Sequence, residues 1–209
     1  MIYEVSVKGV FETNCYFYID KNTNHGFLID PGAEADKLLG IIKRKGWTIE
    51  KILLTHGHFD HFGAADKIRS RLGIDVYAHE FSDKYLLDPK INLSAFCGVD
   101  MIVEKAVKFS GGENITLNAN HDFALKVIHT PGHTDDSILL YSEADNVAFV
   151  GDTIFRHSIG NYSYPGGNKA VLVNSIMTRI FTLPAETVLL SGHSDYTTVG
   201  NEKKYYAML

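Results

Sequence analysis

The segment Thr55-His56-Gly57-His58-Phe59-Asp60-His61 is the part of this chain whose side chains most clearly point to chemistry. It places three imidazoles and one carboxylate within six residues, directly after an apolar run at 51–54. Neutral imidazole nitrogens and carboxylate oxygens are the ligands that zinc and related divalent metals prefer. The spacing therefore predicts a metal site, and a polar loop with solvated histidines is the competing interpretation.

Three more candidate ligands follow predicted strands elsewhere in the chain. His133 comes after the segment 125–132, Asp152 after 146–151 and His193 after 187–192, each with a glycine directly before it. Ligands in α/β sheets collect beyond the carboxyl ends of strands, and glycine permits the sharp turns needed there. One Gly-His pair after a strand predicts only a turn, but the joint pattern predicts that these residues meet His56 at one edge.

Seven candidates are more than one tetrahedral metal needs, so the set predicts two adjacent metals. His56 and His58 are two residues apart and would point to the same side of an extended segment. The first metal would take His56, His58 and His133. The second would take Asp60, His61 and His193. Asp152 could bridge both, and capping of the next helix is the alternative role for Asp60.

Composition favours an ordinary globular protein over a nucleic-acid-binding or membrane protein. The chain has 209 residues, 45% of them hydrophobic and 22% charged, which fits one large domain or two small ones, and the pattern of elements described below favours a single domain over 1–209. Net charge is −5, and the only basic runs are Lys43-Arg44-Lys45 and Lys203-Lys204, so nucleic acid is not expected as a partner.

Cysteine content and hydropathy predict a cytoplasmic location. The two cysteines, Cys15 and Cys97, do not form a disulfide framework. We find neither an N-terminal signal pattern nor an apolar run of the ~20 residues that a membrane span needs. A small-molecule partner is expected, and the oligomeric state stays open.

Hydrophobic periodicity predicts strands alternating with helices along the whole chain. Strands are expected at 2–7, 15–19, 26–29, 75–78, 106–109, 114–117, 123–129, 137–141, 146–150 and 186–190. Helices are expected at 34–45, 62–72, 79–87, 169–181 and 199–206. This order predicts an α/β domain of two mixed sheets with helices outside them.

The motifs together resemble the metallo-β-lactamase-fold hydrolases. They are the heptapeptide at 55–61, Pro131-Gly132-His133-Thr134, the strand ending Gly151-Asp152 and the late Gly192-His193. The likeness covers nearly the whole chain and is closest to the hydroxyacylglutathione hydrolase (glyoxalase II)-like branch. It implies a four-layer αβ/βα sandwich with a dinuclear metal site at one edge. It also implies that Asp30 orients a ligand histidine.

The resemblance implies hydrolysis of a small thioester by a hydroxide held on two divalent ions. Zinc is the first choice of metal, with iron or manganese as alternatives. Asp60 would be catalytic by orienting the hydroxide, and Tyr162 or Tyr164 could assist an alkoxide leaving group. The loop 162–167 would be either a wall of the substrate pocket or a simple connection. The remaining histidines, His25, His79, His121, His129 and His157, are expected to be structural or solvated.

Other activities stay open at this stage. Glyoxalase II has a basic residue after the Gly-Asp strand, where this chain has Gly160-Asn161-Tyr162-Ser163, which weakens the case for glutathione. A lactonase or β-lactam-type hydrolase could use the same ligands. A single iron on His56, His58 and Asp152 would indicate a persulfide dioxygenase. Phosphodiester cleavage and a non-catalytic binding module are the remaining alternatives.

Overall fold

The computed structural model describes residues 1–208, and its first sheet has six strands. In spatial order these are β1 Ile2–Lys8, β2 Glu12–Ile19, β3 His25–Ile29, β4 Thr48–Leu53, β5 Asp75–His79 and β6 Val107–Phe109. The first three strands pair antiparallel, whereas β3 to β6 pair parallel. The carboxyl ends of β3 and β4 therefore lie at one edge of a mixed sheet.

The second sheet also has six strands and the same mixed character. Its strands and an adjacent hairpin are β7 Asn114–Thr116, β8 Ala124–His129, β9 Ile138–Ser142, β10 Val147–Gly151, β11 Ile154–Phe155, β12 Ser158–Ile159, β13 Val188–Ser191 and β14 Thr197–Thr198. The order in the sheet is β14-β13-β10-β9-β8-β7, while β11 and β12 pair only with each other. Pairing is parallel between β10 and β13 and antiparallel elsewhere. Hence β8, β10 and β13 all end at the same edge.

Six α-helices connect or cover the sheets. They are α1 Ala35–Lys45, α2 Phe59–Phe62, α3 Ala65–Leu72, α4 Asp83–Leu86, α5 Lys169–Ser175 and α6 Val199–Ala207. Short 3₁₀ turns occupy Glu80–Ser82 and Ser94–Cys97, and a π-helical turn, Ile176–Ile180, continues α5. Within residues 1–208, no helix has the length and apolar character needed to cross a membrane.

Alternating side chains of the central strands divide the interior into layers. On β2, Cys15, Phe17 and Ile19 pack in a cluster with residues of α1 and α3. The intervening Tyr16 and Tyr18 instead pack between the two sheets. Because both faces of this strand are buried, its sequence is a continuous apolar run rather than an alternating one.

The second sheet repeats this division on its own strands. Val147 and Phe149 of β10 face the other sheet, whereas Ala148 and Val150 pack with α5 and α6. The order of layers is therefore helices, sheet, sheet, helices. This confirms the predicted fold of two mixed sheets with outer helices. The assignment of 1–209 to one domain stays a prediction and includes Leu209, which lies outside the described residues.

Two predicted helices are interrupted. The helix expected at 62–72 is split, because α2 ends at Phe62 and α3 begins only at Ala65. Ala64 N donates to the Pro31 carbonyl at 2.9 Å, a tertiary bond that takes the place of a helical one. In the helix expected at 169–181, the Thr178 hydroxyl donates to the Asn174 carbonyl at 2.8 Å where the π-helical turn lies.

Candidate metal centre

The segment after β4 forms a buried turn that leads into α2 and carries the first group of candidate ligands. His56 Nε2 lies 3.1 Å from His58 Nδ1, and His133 Nε2 lies 3.0 Å from that same His58 nitrogen. All three side chains are buried, and His133 enters from the loop after β8 of the other sheet. The three nitrogens lie within 4.8 Å of one another and can hold one metal ion.

A second group lies beside the first. His61 Nε2 is 3.3 Å from His193 Nε2. Asp60 Oδ2 is 3.1 Å from His193 Nε2 and 3.8 Å from His61 Nε2. These three side chains can also hold one ion between them. The grouping is the one expected from the sequence for the second metal.

Asp152 lies between the two groups. Its Oδ1 is 3.4 Å from His61 Nε2, and its Oδ2 is 3.3 Å from His193 Nε2 and 3.8 Å from His133 Nε2. This carboxylate lies within 4 Å of a nitrogen from each group. The structure thus brings all seven sequence-predicted residues together, and their role as metal ligands remains a proposal.

Hydrogen bonds behind the site fix the orientation of three of the imidazoles. They join His61 Nδ1 to Asp30 Oδ2 at 2.9 Å, His193 Nδ1 to the Glu12 carbonyl at 2.8 Å, and His133 Nδ1 to the Asn161 carbonyl at 2.6 Å. Each Nδ1 is the donor, so each Nε2 keeps its lone pair for the centre. The Asp30 contact is the one that the family resemblance implies.

The two carbonyl acceptors, by contrast, gave no signal in the sequence. Glu12 and Asn161 act through their backbone oxygens, so the type of side chain at these positions carries no information about the contact. Only the folded positions of β2 and of the loop after β12 bring these oxygens to the histidines. Sequence reasoning could therefore bring the candidate ligands together but could not identify these backbone acceptors.

This arrangement of donors fits divalent cations. His61 Nε2 and His193 Nε2 face each other although neither neutral ring has a hydrogen to place between them. Among the described residues, buried Asp152 Oδ1 has no hydrogen-bond partner. Facing lone pairs and an unpartnered carboxylate oxygen are unfavourable unless positive charge lies among them.

The shifts in the pKa values of the histidines in the metal-free site also indicate that the centre attracts positive charge. Burial opposes charge on His61, but the carboxylates of Asp152, Asp30 and Asp60 raise its pKa well above 6.5. Burial also opposes charge on His193, yet its bonds to Asp152 and Asp60 raise its pKa to about 10. Burial lowers the pKa of His58 to about 3. The carboxylate-rich side therefore attracts positive charge, which protons supply when no metal is bound.

One glycine of the predicted motifs is required by close packing at the centre. A Cβ added to Gly192 would lie 2.4 Å from Asp152 Oδ1 and 2.5 Å from His61 Cε1. Distances below 3.0 Å to these atoms would displace two candidate ligands. The glycine before His193 therefore permits the backbone of β13 to approach the site, as the sequence pattern predicts.

Five of the seven candidate ligands line a cavity of about 670 Å³. Its lining residues are Phe11, Glu12, His58, Asp60, Leu93, Phe96, Cys97, His133, Asp152, Phe155, Asn161, Tyr164, Pro165 and His193. The loop 162–167 thus contributes to the wall through Tyr164 and Pro165. Tyr162 packs against the α5 and α6 cluster, so Tyr164 is the one of the two proposed tyrosines that lines the cavity.

The other histidines lie outside this centre. His25 contacts Glu50, His157 stacks on Tyr205, and the His79 and His129 rings stack 4.1 Å apart. None of the five remaining histidines occurs in the groups of donors that could hold a metal within residues 1–208. Their expected structural role is therefore consistent with the structure.

Asp136 is a buried carboxyl beside the ligand turn that sequence reasoning missed. A Cβ on Gly57 would lie 3.1 Å from Asp136 Oδ2 and 2.4 Å from Tyr85 Cβ. Both Asp136 oxygens lack a hydrogen-bond partner among the described residues, and burial raises the pKa of this carboxyl to about 7. Its neighbour Asp135, of the same residue type, is half exposed and pairs with Lys84, so sequence alone could not distinguish the two.

We expect Asp136→Asn to stabilise the metal-free protein as pH rises. The unfolded carboxyl ionises above about 3.8, whereas the folded one keeps its proton until about pH 7, so wild-type stability falls across this interval. The advantage of the variant should grow by about 2–3 kcal/mol between pH 5 and pH 8, measured by urea unfolding. Asp135→Asn is the matched control, and equal curves for Asp136→Asn and wild type at both pH values would contradict the burial argument.

Comparison with known proteins identifies relatives of this chain. The profile described as the Metallo-beta-lactamase superfamily matches residues 9–193. Two curated relatives are similar over most of their length. The probable metallo-hydrolase YqgX of Bacillus subtilis is 36% identical, covering 93% of this chain and 91% of its own. The hydroxyacylglutathione hydrolase GloC of Haemophilus influenzae is 31% identical, covering 96% and 94%.

Crystal structures of similar proteins have the same fold as this chain. The crystal structure of the BLEG-1 B3 metallo-beta-lactamase is 35% identical, with a TM-score of 0.91 and coverage of 98% of this chain and 97% of that one. The crystal structure of TTHA1623 in a di-iron-bound form is 30% identical, with a TM-score of 0.87 and coverage of 99% and 100%.

Proposed function

This chain belongs to the metallo-beta-lactamase superfamily, and on that premise we propose that it is a metal-dependent hydrolase that cleaves a small thioester. One observation carries the proposal. Five imidazoles and two carboxylates converge from two sheets into adjacent groups of possible metal donors, and five of these seven side chains line one cavity. The similarity to GloC, named as a hydroxyacylglutathione hydrolase, favours a thioester as the bond cleaved.

The proposed cofactors are two divalent ions, with zinc as the first choice. His56, His58 and His133 would hold one ion, Asp60, His61 and His193 the other, and Asp152 would contact both. Imidazole-rich sites suit zinc and iron alike, and the di-iron form of TTHA1623 supports iron as the alternative. Divalent metals at such a site supply a nucleophile from water at neutral pH and withdraw electron density from a carbonyl oxygen.

The chain's own residues would position the reactants. Asp60 lies in the cavity wall, and we assign it the catalytic role of orienting the attacking water by a hydrogen bond. Thr13 Oγ1 lies 3.4 Å from Asp60 Oδ2 and donates to it, which holds the carboxylate in place. A thiolate leaving group has a conjugate acid pKa of about 8.5, so it needs no acid from the protein.

A β-lactam or lactone is the second candidate substrate. The similarity to BLEG-1 favours it, since that protein is named a metallo-beta-lactamase. Amide and alkoxide leaving groups require a proton, and Tyr164 is the tyrosine of the cavity wall that could donate one. Two complete groups of donors favour a hydrolase over a mono-iron dioxygenase.

We further propose a small molecule as the partner and the cytoplasm as the location. Within residues 1–208, the cavity wall contains no lysine or arginine to bind a nucleic-acid backbone. Cys15 and Cys97 are both free thiols, which suits a reducing compartment.

The test combines metal removal with a substrate panel. We expect chelation to lower thioester hydrolysis at least 100-fold and zinc to restore it, because the nucleophile depends on the metal. Metal analysis of protein purified without added metal should find about two ions per chain. A panel of thioesters, lactones and a chromogenic cephalosporin identifies the bond cleaved. Full thioester turnover after chelation, or one iron per chain with oxygen consumption, would contradict the proposal.

A further inference from the structure

The upper wall of the cavity is built from exposed aromatic side chains. Phe96 is 76% exposed, Phe11 50% and Tyr164 42%, and Phe155 is partly buried. Solvation of one exposed aromatic side chain is ordinary, but several around one cavity form an apolar surface that is unfavourable in water. Such a surface above a reactive centre is typical of a pocket that binds apolar parts of a ligand.

The same wall has no lysine or arginine among the described residues. Apart from the candidate metal ligands, its one carboxylate is Glu12. Asn161 occupies the loop where glyoxalase II has a basic residue, and its Oδ1 accepts a bond from Ser163 N at 2.8 Å. Anionic groups on a substrate would therefore find no counter-charge away from the metal centre.

Nearby cations are engaged elsewhere. Arg156 is next in sequence to Phe155, but its Nη1 lies 3.4 Å from Asp195 Oδ2 and it lines a different cavity. Lys84 pairs with Asp135 in yet another cavity. The apolar wall is thus separate from the basic side chains around it, rather than an apolar patch within a mixed surface.

We propose that the substrate of this site is an uncharged thioester with an apolar acyl chain, which lies against Phe11, Phe96 and Phe155. The inference rests on the proposed function and specifies its substrate class. In the reaction the oxygen of water bonds to the carbonyl carbon as the carbon–sulfur bond breaks. One proton of the water passes to the thiolate, and the carboxylic acid releases the other to solvent, so the products are a thiol and a carboxylate.

Glutathione thioesters are the charged substrates with which neutral thioesters can be compared, because they carry two carboxylates and one ammonium beyond the reacting carbonyl. We expect kcat/KM for N-acetylcysteamine thioesters to rise about two- to fourfold per added methylene from acetyl to octanoyl, as each methylene is buried. At equal acyl length, the neutral thioester should exceed the glutathione thioester at least tenfold. A flat acyl series, or a preference for the glutathione thioester, would overturn the inference.

Variants of the wall test which of its side chains contact the acyl chain of the substrate. Phe96→Ala and Phe11→Ala should lower kcat/KM at least tenfold more for the octanoyl thioester than for the acetyl thioester. Phe81→Ala is the matched control, since Phe81 is 51% exposed but lines another cavity. Asn161→Arg should raise kcat/KM for the glutathione thioester. Loss of acetyl and octanoyl turnover in equal proportion would contradict the assigned contact.

A binding measurement separates this inference from the proposed function. S-octyl-N-acetylcysteamine and S-octylglutathione are thioethers that cannot be hydrolysed, and calorimetry on the zinc-loaded protein gives their affinities. Tighter binding of the neutral thioether without thioester turnover would refute the proposed function and the thioester, and would retain only the contact of an uncharged apolar ligand with the wall. Thioester turnover with tighter binding of the glutathione thioether would retain the function and refute the inference.

Discussion

Replacing Asp152 by alanine is expected to lower kcat at least 1000-fold and to reduce the bound metal from about two ions per chain to about one. Asp152 is the carboxylate within 4 Å of nitrogens from both groups, namely His61, His193 and His133. Without it, His61 and His193 keep fewer carboxylates facing them, so a divalent ion at that position loses both a ligand and compensating charge.

The folded state should survive this change, because the three apolar clusters contain none of the candidate ligands. Circular dichroism of Asp152→Ala should therefore match that of the wild type. Asp195→Ala is the matched control: Asp195 is two residues after His193, is 81% exposed and contacts Arg156. It should retain turnover within about twofold. Wild-type turnover by Asp152→Ala, with two metals still bound, would remove Asp152 from the proposed centre.

Replacing Asp30 by asparagine is expected to lower metal affinity or kcat/KM by about 10- to 100-fold, although Asp30 itself is not a proposed ligand. Its Oδ2 accepts hydrogen bonds from His61 Nδ1 at 2.9 Å and from Thr55 Oγ1 at 2.6 Å, and its Oδ1 accepts from Thr55 N at 2.8 Å. An amide has only one acceptor oxygen, so it cannot satisfy all three donors.

Backbone strain does not explain the expected loss. Asp30 has a φ of 50°, and asparagine tolerates that left-handed conformation as well as aspartate does. The readout is the metal dissociation constant together with kcat/KM, because a merely structural residue would change unfolding without changing metal affinity. Asp36→Asn, on an 81% exposed carboxylate, is the control. Unchanged affinity for both metals in Asp30→Asn would show that His61 needs no orienting partner.

The candidate ligands could be predicted because topology constrains them strongly. Parallel strands end at one edge, so His133, Asp152 and His193 had to follow β8, β10 and β13 on the same side. The spacing within the heptapeptide then determined the positions of the other four candidates, His56, His58, Asp60 and His61. The αβ/βα order of layers followed from continuous apolar strands between amphipathic helices.

Features that depend on distant contacts could not be predicted in the same way. The Ala64 bond to Pro31 splits a helix whose local sequence is periodic throughout. Tyr162 and Tyr164 have the same residue type and lie in the same loop, yet only one of them faces the cavity. The very short strands β11, β12 and β14 have too few residues to form a pattern.

Four of the proposed ligands come from the first sheet and three from the second, which links metal binding to the association of the two halves. Neither half could hold an ion at full affinity until the other has docked. A bound ion would act as a cross-link that is made late in folding, so thermal stability should rise with the free metal concentration, by about 4 kcal/mol at a thousandfold excess over the dissociation constant. In a cell that restricts this metal, the abundance of the intact protein would then follow the metal supply.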